Sequence, residues 1–321
     1  MFTRRQLLVS TACLSPLGLA AQTTPAWPNR PIKMLIGFPA GQGSDAAARF
    51  YADHLQKELG QPMIVENRPG AGATLAAGLV ATAPPDGYTL LLTSSGPMAV
   101  APHLYKLAFD PLKGLEPIAV VGSTTLTLVV RADHPAKTVA QLVAMTRQKE
   151  LDGGSGGNGV TNHLTLEMFK ISSGARINHV PYKGAAAAMT DLIGGHIDVM
   201  FETTTAAMAH VKAGRLRALA VTSPKRYPDL PDVPALSESF PGFEATPWAM
   251  VAAPAGTPAP ILERLSVMLN RIMSDEGGKR QLRAMGIDPT PGTSPAGAKT
   301  YLTAEYQKWG SIIRKANVKL D

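Results

Sequence analysis

Phe38-Pro39-Ala40-Gly41-Gln42-Gly43-Ser44-Asp45 joins a predicted strand to a predicted helix, and its pattern recurs later in the chain. The apolar run over 32–38 predicts a buried strand, and apolar residues at three- and four-residue spacing predict a helix over 44–59. Gly41 and Gly43 allow a tight turn, Ser44 can cap the helix, and the free N–H groups of a helix start favour an anion. The stretch is therefore either an anion-binding turn or an ordinary strand-to-helix turn.

A second glycine-rich stretch repeats this arrangement in the middle of the chain. Residues 153–159 are predicted to form a loop, and a helix is predicted over 161–171. In an open α/β sheet, ligands bind beside the carboxyl ends of the strands. Two such turns on facing domains would therefore point into one cleft.

Alternating strands and helices predict two α/β halves, each built on a mainly parallel sheet. Further strands are predicted at 63–65, 88–93, 125–131, 177–180, 197–201, 216–222 and 248–252, and further helices at 138–149, 185–193 and 204–212. The proline-rich residues 223–247 predict a surface connection. Two long amphipathic helices, through 262–272 and 302–313, close the chain, and we expect them to return to the first half.

The N-terminus predicts export. A basic start, a short apolar stretch over 7–20 and small residues near Ala20 and Ala21 are typical of a secretory signal peptide, which we place at 1–21. The apolar stretch is too short to span a bilayer. The sequence TRRQLL at 3–8 also resembles a twin-arginine signal, so Sec and twin-arginine export both stay open. We expect a periplasmic protein cleaved near Ala20 or Ala21.

Cysteine usage and charge narrow the function classes. The only cysteine, Cys13, lies in the predicted signal peptide, so the mature chain would have no disulfide, cysteine nucleophile or thiolate metal site. Lipid attachment at Cys13 is the alternative, but Ser10 stands where an apolar residue is usual. The net charge of +7 comes without a run of Lys or Arg, which gives nucleic-acid binding little support and predicts a mild preference for anionic ligands.

Nucleotide and metal motifs are incomplete. Residues 153–161 lack the Gly-Lys-Ser/Thr ending of a P-loop, and after 70–74 a leucine, Leu75, stands where a dinucleotide fingerprint needs its third glycine. The seven histidines show no metal-ligand spacing. We therefore predict no metal and no cofactor.

A secreted hydrolase stays as the alternative function. Its nucleophile would be Ser94 or Ser95 at a strand end, and its base would be His163 or His179. Neither serine lies in a Gly-x-Ser-x-Gly elbow, so we predict a protein without catalytic residues.

Several stretches resemble, in the same order, the motifs of the Bug receptors, the extracytoplasmic components of tripartite tricarboxylate transporters. Residues 36–45 (IGFPAGQGSD) are similar to the family's PFPAGGGTD opening. The further matches are 65–72 (VENRPGAG), 83–91 (APPDGYTLL), 157–159 (GNG) before 163–164 (HL), 179–184 (HVPYKG), 216–223 (LRALAVTS), 230–234 (LPDVP) and 253–258 (APAGTP). The resemblance covers nearly the whole mature chain.

This resemblance implies a type II periplasmic-binding fold, in which two doubly wound α/β domains are joined by two crossover strands and close on a ligand. We expect domain 1 to comprise 26–124 and 250–321, domain 2 to comprise 125–249, and the crossovers to lie near Thr125 and Trp248. The resemblance also implies a small organic carboxylate as ligand, bound largely through backbone amides, hydroxyls and ordered water. The implied partners are the membrane components of a tripartite transporter.

The candidate ligand-binding residues come from the two turns and from neighbouring strand ends. They are Phe38, Ala40, Gly41, Gly43, Ser44, Asp45, Ser94, Ser95, Ser155, Asn158, Gly159, Val160, Thr161, Tyr182 and Glu202. Simpler roles stay open for three of them: packing for Tyr182, compensation of the helix dipole for Asp45 and helix capping for Glu202.

Phe38 would form an apolar wall, and the amides and hydroxyls of the turns would hold the carboxylate. Gln42, Val160 and Glu202 depart from the family's usual residues, so the resemblance leaves the identity of the carboxylate open. No arginine lies in either turn or in 179–184. We therefore expect backbone N–H groups, rather than a guanidinium group, to bind the negative charge.

Overall fold

The structure, a computed structural model, describes residues 27–319, so the predicted signal peptide and Cys13 lie outside the described residues. The strands are β1 (Ile32–Ile36), β2 (Met63–Asn67), β3 (Thr89–Ser94), β4 (Leu115–Ser123), β5 (Leu126–Arg131), β6 (Leu151–Ser155), β7 (Ile177–Pro181), β8 (Val199–Thr203), β9 (Leu216–Val221) and β10 (Trp248–Pro254). The helices are α1 (Gly43–Leu59), α2 (Thr74–Ala81), α3 (Ala101–Leu104), α4 (Val139–Gln148), α5 (Thr161–Ser173), α6 (Ala185–Gly194), α7 (Thr204–Lys212), α8 (Ala259–Ser274), α9 (Glu276–Ala284) and α10 (Pro295–Lys315). Within 27–319, no helix has the combination of length and apolar character that a membrane span requires.

Two five-stranded sheets organise these elements into a two-domain α/β fold. The first has the order β2-β1-β3-β10-β4, and the second has the order β7-β6-β8-β5-β9. Strands β2, β1 and β3 are parallel, as are β7, β6 and β8, whereas β10 and β5 run antiparallel to both of their neighbours. Each sheet is thus mixed, with four strands in one direction, as mainly parallel sheets were predicted to be, and a single strand that runs against them. The physical reason is that the chain enters each domain through β5 or β10 after crossing from the other, at the edge where the parallel strands end.

The two crossovers lie side by side, where the sequence places them. The chain leaves β4 at Ser123 and starts β5 at Leu126, and it returns to the first sheet at Trp248. The N–H of Thr124 donates to the carbonyl of Pro247 at 2.7 Å, which joins the two connections directly. Because Trp248 already pairs in the first sheet, β10 begins two residues before the predicted boundary at 250. The domain boundaries themselves stay a prediction.

Strand β4 has no counterpart among the predicted strands. Pro117 interrupts its apolar run and has no N–H to give to a ladder. In the structure Pro117 pairs with Ala252, where the register between β4 and β10 is irregular. A proline at such an irregularity is compatible with a strand, which a sequence pattern alone does not reveal.

The glycines Gly153 and Gly154 lie in β6 rather than in the predicted loop. A Cβ on Gly153 would lie 2.7 Å from Ile177, and a Cβ on Gly154 would lie 2.3 Å from Ile197. These glycines are therefore needed for close packing of the strand against its neighbours, and the turn begins only after Ser155.

The C-terminal helices return to the first domain, as predicted. Helices α8 and α10 both pack against β4. The buried Glu305 of α10 accepts hydrogen bonds from the indole N–H groups of Trp248 at 2.9 Å and Trp309 at 3.0 Å. The start of β10 is thereby attached to α10, which gives this crossover a fixed base.

Candidate ligand-binding cleft

A cleft between the two domains is divided into two chambers beside the crossovers. The first chamber has a volume of about 310 Å³ and is lined by Phe38, Gly43, Ser44 and Ser94 of the first domain and by Thr203 and Thr205 of the second, among others. The second has a volume of about 290 Å³ and is lined by Phe38, Ser94 and Ser95 and by Asn158, Gly159, Val160 and Thr161. Phe38, Ser94 and Pro247 line both chambers, so the two form one continuous site. Together they have the size of a site for a small organic molecule.

The chambers are lined without charged side chains. Among the described residues that line them, none is Asp, Glu, Lys or Arg. The polar lining consists of side-chain hydroxyls, the amide of Asn158 and backbone groups. A charged ligand would therefore meet dipoles and hydroxyls, not a salt bridge.

The first turn is held in place by Asp45. Its carboxylate accepts from the N–H of Gly41 at 3.0 Å, from Nε of Arg49 at 3.0 Å and from Nδ2 of Asn67 at 3.0 Å. The same Asn67 amide donates to the carbonyl of Phe38 at 3.0 Å. The hydrogen bonds from Arg49 and Gly41 lower the pKa of Asp45 to about 2, so this carboxylate is charged. Its hydrogen bonds go to other residues of the protein and hold the turn together.

Gly41 is required by the backbone of this turn, whereas Gly43 contributes open space. Gly41 has a φ of 84°, a conformation that residues with a side chain rarely adopt. Gly43 is the first residue of α1, and a Cβ built on it would meet nothing within 4 Å. A larger side chain at Gly43 would thus extend toward the first chamber.

Helix α1 begins without a side-chain cap. The prediction that Ser44 caps it was wrong, because α1 starts at Gly43 and the capping position belongs to Gln42, whose side chain makes no capping bond. No described residue accepts a hydrogen bond from the N–H groups of Gly43 and Ser44. These donors at the positive end of a helix dipole are available to a ligand.

Helix α5 begins in the same way at the second chamber. Its capping position is Val160, which has no side-chain acceptor, and the helix starts at Thr161. No described residue accepts from the N–H groups of Val160 and Thr161. Gly157 and Gly159 have positive φ values of 136° and 73°, which bring the backbone round to the helix start. The cleft thus has an uncapped helix start on each side.

Most of the predicted site residues line the chambers. Those that the structure brings together there are Phe38, Gly43, Ser44, Ser94, Ser95, Asn158, Gly159, Val160 and Thr161. Ala40, Gly41 and Asp45 belong to the first turn but line neither chamber, and the hydrogen bonds of Asp45 give it a supporting role within that turn.

Ser155, Tyr182 and Glu202 are separated from the chambers. Ser155 is completely buried, with Oγ 2.6 Å from Nε2 of His179. The hydroxyl of Tyr182 donates to Asp191 at 2.7 Å, and burial raises the pKa of that hydroxyl to about 12. The side chain of Glu202 lines a different depression, of about 550 Å³, between α6 and α7, because successive side chains of a strand point to opposite faces.

Several residues that shape the cleft were not among the predicted site residues. Arg49 and Asn67 support the first turn, and Thr203 at the end of β8 and Thr205 at the start of α7 line the first chamber. The run Thr203-Thr204-Thr205, which follows a predicted strand, could have indicated the two chamber-lining threonines from the sequence. Gly286, which follows α9 and lines the first chamber, gave no sequence signal, because its place depends on the tertiary fold.

The geometry required of a Ser/His hydrolase is not present among residues 27–319. No hydrogen bond joins Ser94 or Ser95 to a histidine. Nδ1 of His163 accepts from the N–H of Gly159 at 3.0 Å, and His179 lies against the buried Ser155. Neither candidate base reaches a serine that a substrate could approach.

Two further depressions lie outside the cleft. One, of about 570 Å³, lies between α2 and residues 105–109 on the surface of the first domain, and the other, of about 640 Å³, lies behind the crossovers. Neither contains a start of α1 or α5, so neither presents the paired helix dipoles of the cleft.

Comparison with known proteins matches most of the chain. A family described as "Tripartite tricarboxylate transporter family receptor" matches residues 47–318. BugT of Bordetella pertussis is 35% identical over 322 residues, which cover 98% of this chain and 98% of BugT. The structure of R. palustris Rpa4515 with adipate is 33% identical, with a TM-score of 0.76 over 91% of this chain and 99% of that one. MatC from Rhodopseudomonas palustris with bound malate is 28% identical, with a TM-score of 0.72 over 89% of this chain and 100% of that one.

Proposed function

The chain belongs to the tripartite tricarboxylate transporter family of receptors and is a solute-binding receptor, and we propose that its ligand is a small dicarboxylate held across the two chambers. One carboxylate lies at the start of α1 and the other at the start of α5. The observation that carries the proposal is the pairing of two uncapped helix starts with a cleft lined by no charged side chain.

Backbone N–H groups can bind both carboxylates without a charged side chain. Hydrogen bonds to a charged acceptor contribute about 1.5–3 kcal/mol each, and the helix dipole adds to them. Gly43 and Ser44 on one side, and Val160 and Thr161 on the other, offer such donors without a partner among the described residues. The first turn is already ordered by Asp45 and Asn67, so the ligand has little left to order there when it binds.

The ligands of similar receptors support the chemical class. Adipate in Rpa4515 and malate in MatC are both dicarboxylates, and they differ in length. Two chambers of similar volume, joined at Phe38 and Ser94, provide a site for two carboxylates separated by a short carbon chain. The contact residues that we propose are the nine lining residues named above.

We place the receptor in the periplasm, where members of the family act. The predicted signal peptide at 1–21 supports export. The mature receptor delivers its ligand to the membrane components of a tripartite transporter and carries out no reaction of its own. The absence of a histidine bonded to Ser94 or Ser95 among the described residues supports a receptor over a hydrolase.

A thermal-shift panel tests this function. Ligand-free mature protein is heated with malate, adipate and dicarboxylates of intermediate length, and each acid is matched by its dimethyl ester. At a concentration of 100 Kd, a bound acid adds about 2.7 kcal/mol to the free energy of unfolding, which raises the midpoint by several degrees. We expect at least one diacid to stabilise the protein and its ester to do nothing. Equal stabilisation by acid and ester, or turnover of the ester that is lost on replacing Ser94, would refute the proposal.

A further inference from the structure

Two histidine rings are stacked beneath the turn that leads into α5. His163 comes from the first turn of α5 and His179 from the middle of β7. Their ring centroids lie 3.6 Å apart, and the planes differ by 6°. His163 is only 4% exposed, so the pair lies under the wall of the second chamber rather than in it.

Both rings are connected to the same short turn. Nδ1 of His163 accepts from the N–H of Gly159 at 3.0 Å. Nε2 of His179 lies 2.6 Å from Oγ of Ser155, and this hydroxyl bonds the N–H of Gly157 at 3.2 Å and the carbonyl of Gly157 at 3.0 Å. The two rings and Ser155 therefore fix both glycines between which Asn158 lies.

This turn depends on such support. Gly157 and Gly159 have positive φ values, and glycines lose more conformational freedom than other residues when they are ordered. Asn158 and Gly159 line the second chamber directly. Any other conformation of the turn would move part of the chamber wall and the start of α5 with it.

The hydrogen bond from Gly159 requires a neutral His163. A protonated imidazole has no acceptor, so Nδ1 of His163 can accept from Gly159 only when His163 is neutral with its proton on Nε2. The charged groups that face the pair are Glu167, whose Oε1 lies 3.8 Å from Nε2 of His163, and Lys170, which binds that same Oε1 at 2.7 Å. Burial, and then the neighbouring His179, lower the pKa of His163 to about 3, and burial lowers that of His179 to about 4.

We propose that His163, His179 and Ser155 are positioning residues of the ligand site, in which a neutral His163 stacked on His179 holds the turn over 157–159 in its binding conformation. This inference rests on the proposed function. Without the acceptor on His163, the turn populates other conformations, and only the competent fraction of molecules binds ligand. The apparent Kd then rises by the inverse of that fraction.

Matched variants separate the hydrogen bond from simple packing. His163→Phe keeps a flat ring in the stack but removes the acceptor, whereas His163→Asn places its amide oxygen on the same carbon that bears Nδ1. The probe is the diacid that stabilises the wild-type protein most, titrated by calorimetry. We expect His163→Phe to raise Kd about tenfold or more and His163→Asn to stay within about threefold of wild type, because only the Phe variant leaves the N–H of Gly159 without its acceptor. The control is His196→Phe, an exposed histidine of the same domain, which should leave Kd unchanged.

Wild-type affinity in His163→Phe, or equal losses in the Phe and Asn variants, would overturn the inference. Should His163→Phe fail to fold, Ser155→Ala replaces it, with an expected loss of about threefold or more, and unchanged affinity there would equally overturn the inference. A readout without ligand is the ¹⁵N spectrum of the histidines at pH 7, in which His163 should carry its proton on Nε2. A proton on Nδ1, or a charged ring, would contradict the geometry even if no diacid bound and the proposed function failed.

Discussion

Gly286→Ala should weaken ligand binding by preventing the domains from closing fully. Gly286 follows α9 in the first domain, and a Cβ on it would lie 2.6 Å from Oγ1 of Thr205, at the start of α7 in the second domain. Both residues line the first chamber. Because the clash joins the two domains, it exists only while they are closed, so the substitution acts on closure and hence on affinity.

A second effect of this substitution is on stability, and it can be separated from the first. Gly286 has a φ of 76°, and a left-handed conformation costs a residue with a Cβ about 1–2 kcal/mol. That strain is the same in the open and closed forms, so it lowers the unfolding midpoint without changing Kd. The clash with Thr205, by contrast, should raise Kd at least tenfold, about 1.4 kcal/mol.

A double-mutant cycle with Thr205→Ala measures the clash by itself. Removing Oγ1 leaves Cβ of Thr205 as the nearest atom, at 3.4 Å from the new Cβ, which is an ordinary contact. Calorimetric titration of wild type, both single variants and the double variant should therefore give a coupling energy between about 0.5 and 3 kcal/mol, with the double variant binding better than Gly286→Ala alone. Additive effects on Kd would refute the reasoning, since they would mean that the bound form does not bring these residues together.

Three further predictions follow from the same structure. Gly43→Val should raise Kd at least tenfold, about 1.4 kcal/mol, by filling the first chamber. Arg68→Ala and Arg131→Ala should leave Kd nearly unchanged, because these exposed arginines pair with neighbouring acids, and a calorimetric titration with the opposite ranking would contradict binding through backbone amides. Urea denaturation should show a free energy of unfolding that falls as the pH drops from about 6.5 toward 4, by up to about 1.4 kcal/mol per pH unit for each of His163 and His179. The reason is that these histidines take up protons at about pH 6.5 in the unfolded chain and only near 3 and 4 in the folded chain. Replacing both with Asn should reduce the slope, and an equal slope in that variant would count against this prediction. Small-angle scattering should give a smaller radius of gyration for the protein saturated with a stabilising diacid than for the stripped protein, and equal radii would leave hinge closure unsupported.

The first turn could be predicted from the sequence because every signal there was local. A short apolar run, two glycines and a helical period stand next to each other over 32–59, and the structure has β1, the turn and α1 in that order. The fold of the two domains was implied by the resemblance as well, since it rests on many such local stretches. Residues that line the chambers from these turns, such as Phe38 and Val160, were predicted for the same reason.

The sequence could not predict which way the side chains at strand ends point, or which glycines serve close packing rather than a turn. Ser155 and Glu202 stand at strand ends, as site residues often do, but the alternation of the strand buries the first and sends the second to another face. Gly153 and Gly154 suggested a loop, but glycine is needed there because a Cβ would clash with Ile177 or Ile197, which come from elsewhere in the chain. Gly286 and Thr205 meet only through the tertiary fold, and no spacing in the sequence relates them.

The most direct test of the account is a crystal structure of the mature protein with the diacid that stabilises it best. We predict one carboxylate within hydrogen-bonding distance, about 2.7–3.2 Å, of the N–H groups of Gly43 or Ser44 and the other at those of Val160 or Thr161. No arginine or lysine side chain should contact either carboxylate. A diacid bound outside the two chambers, or held there by a guanidinium or ammonium group, would contradict the central claim.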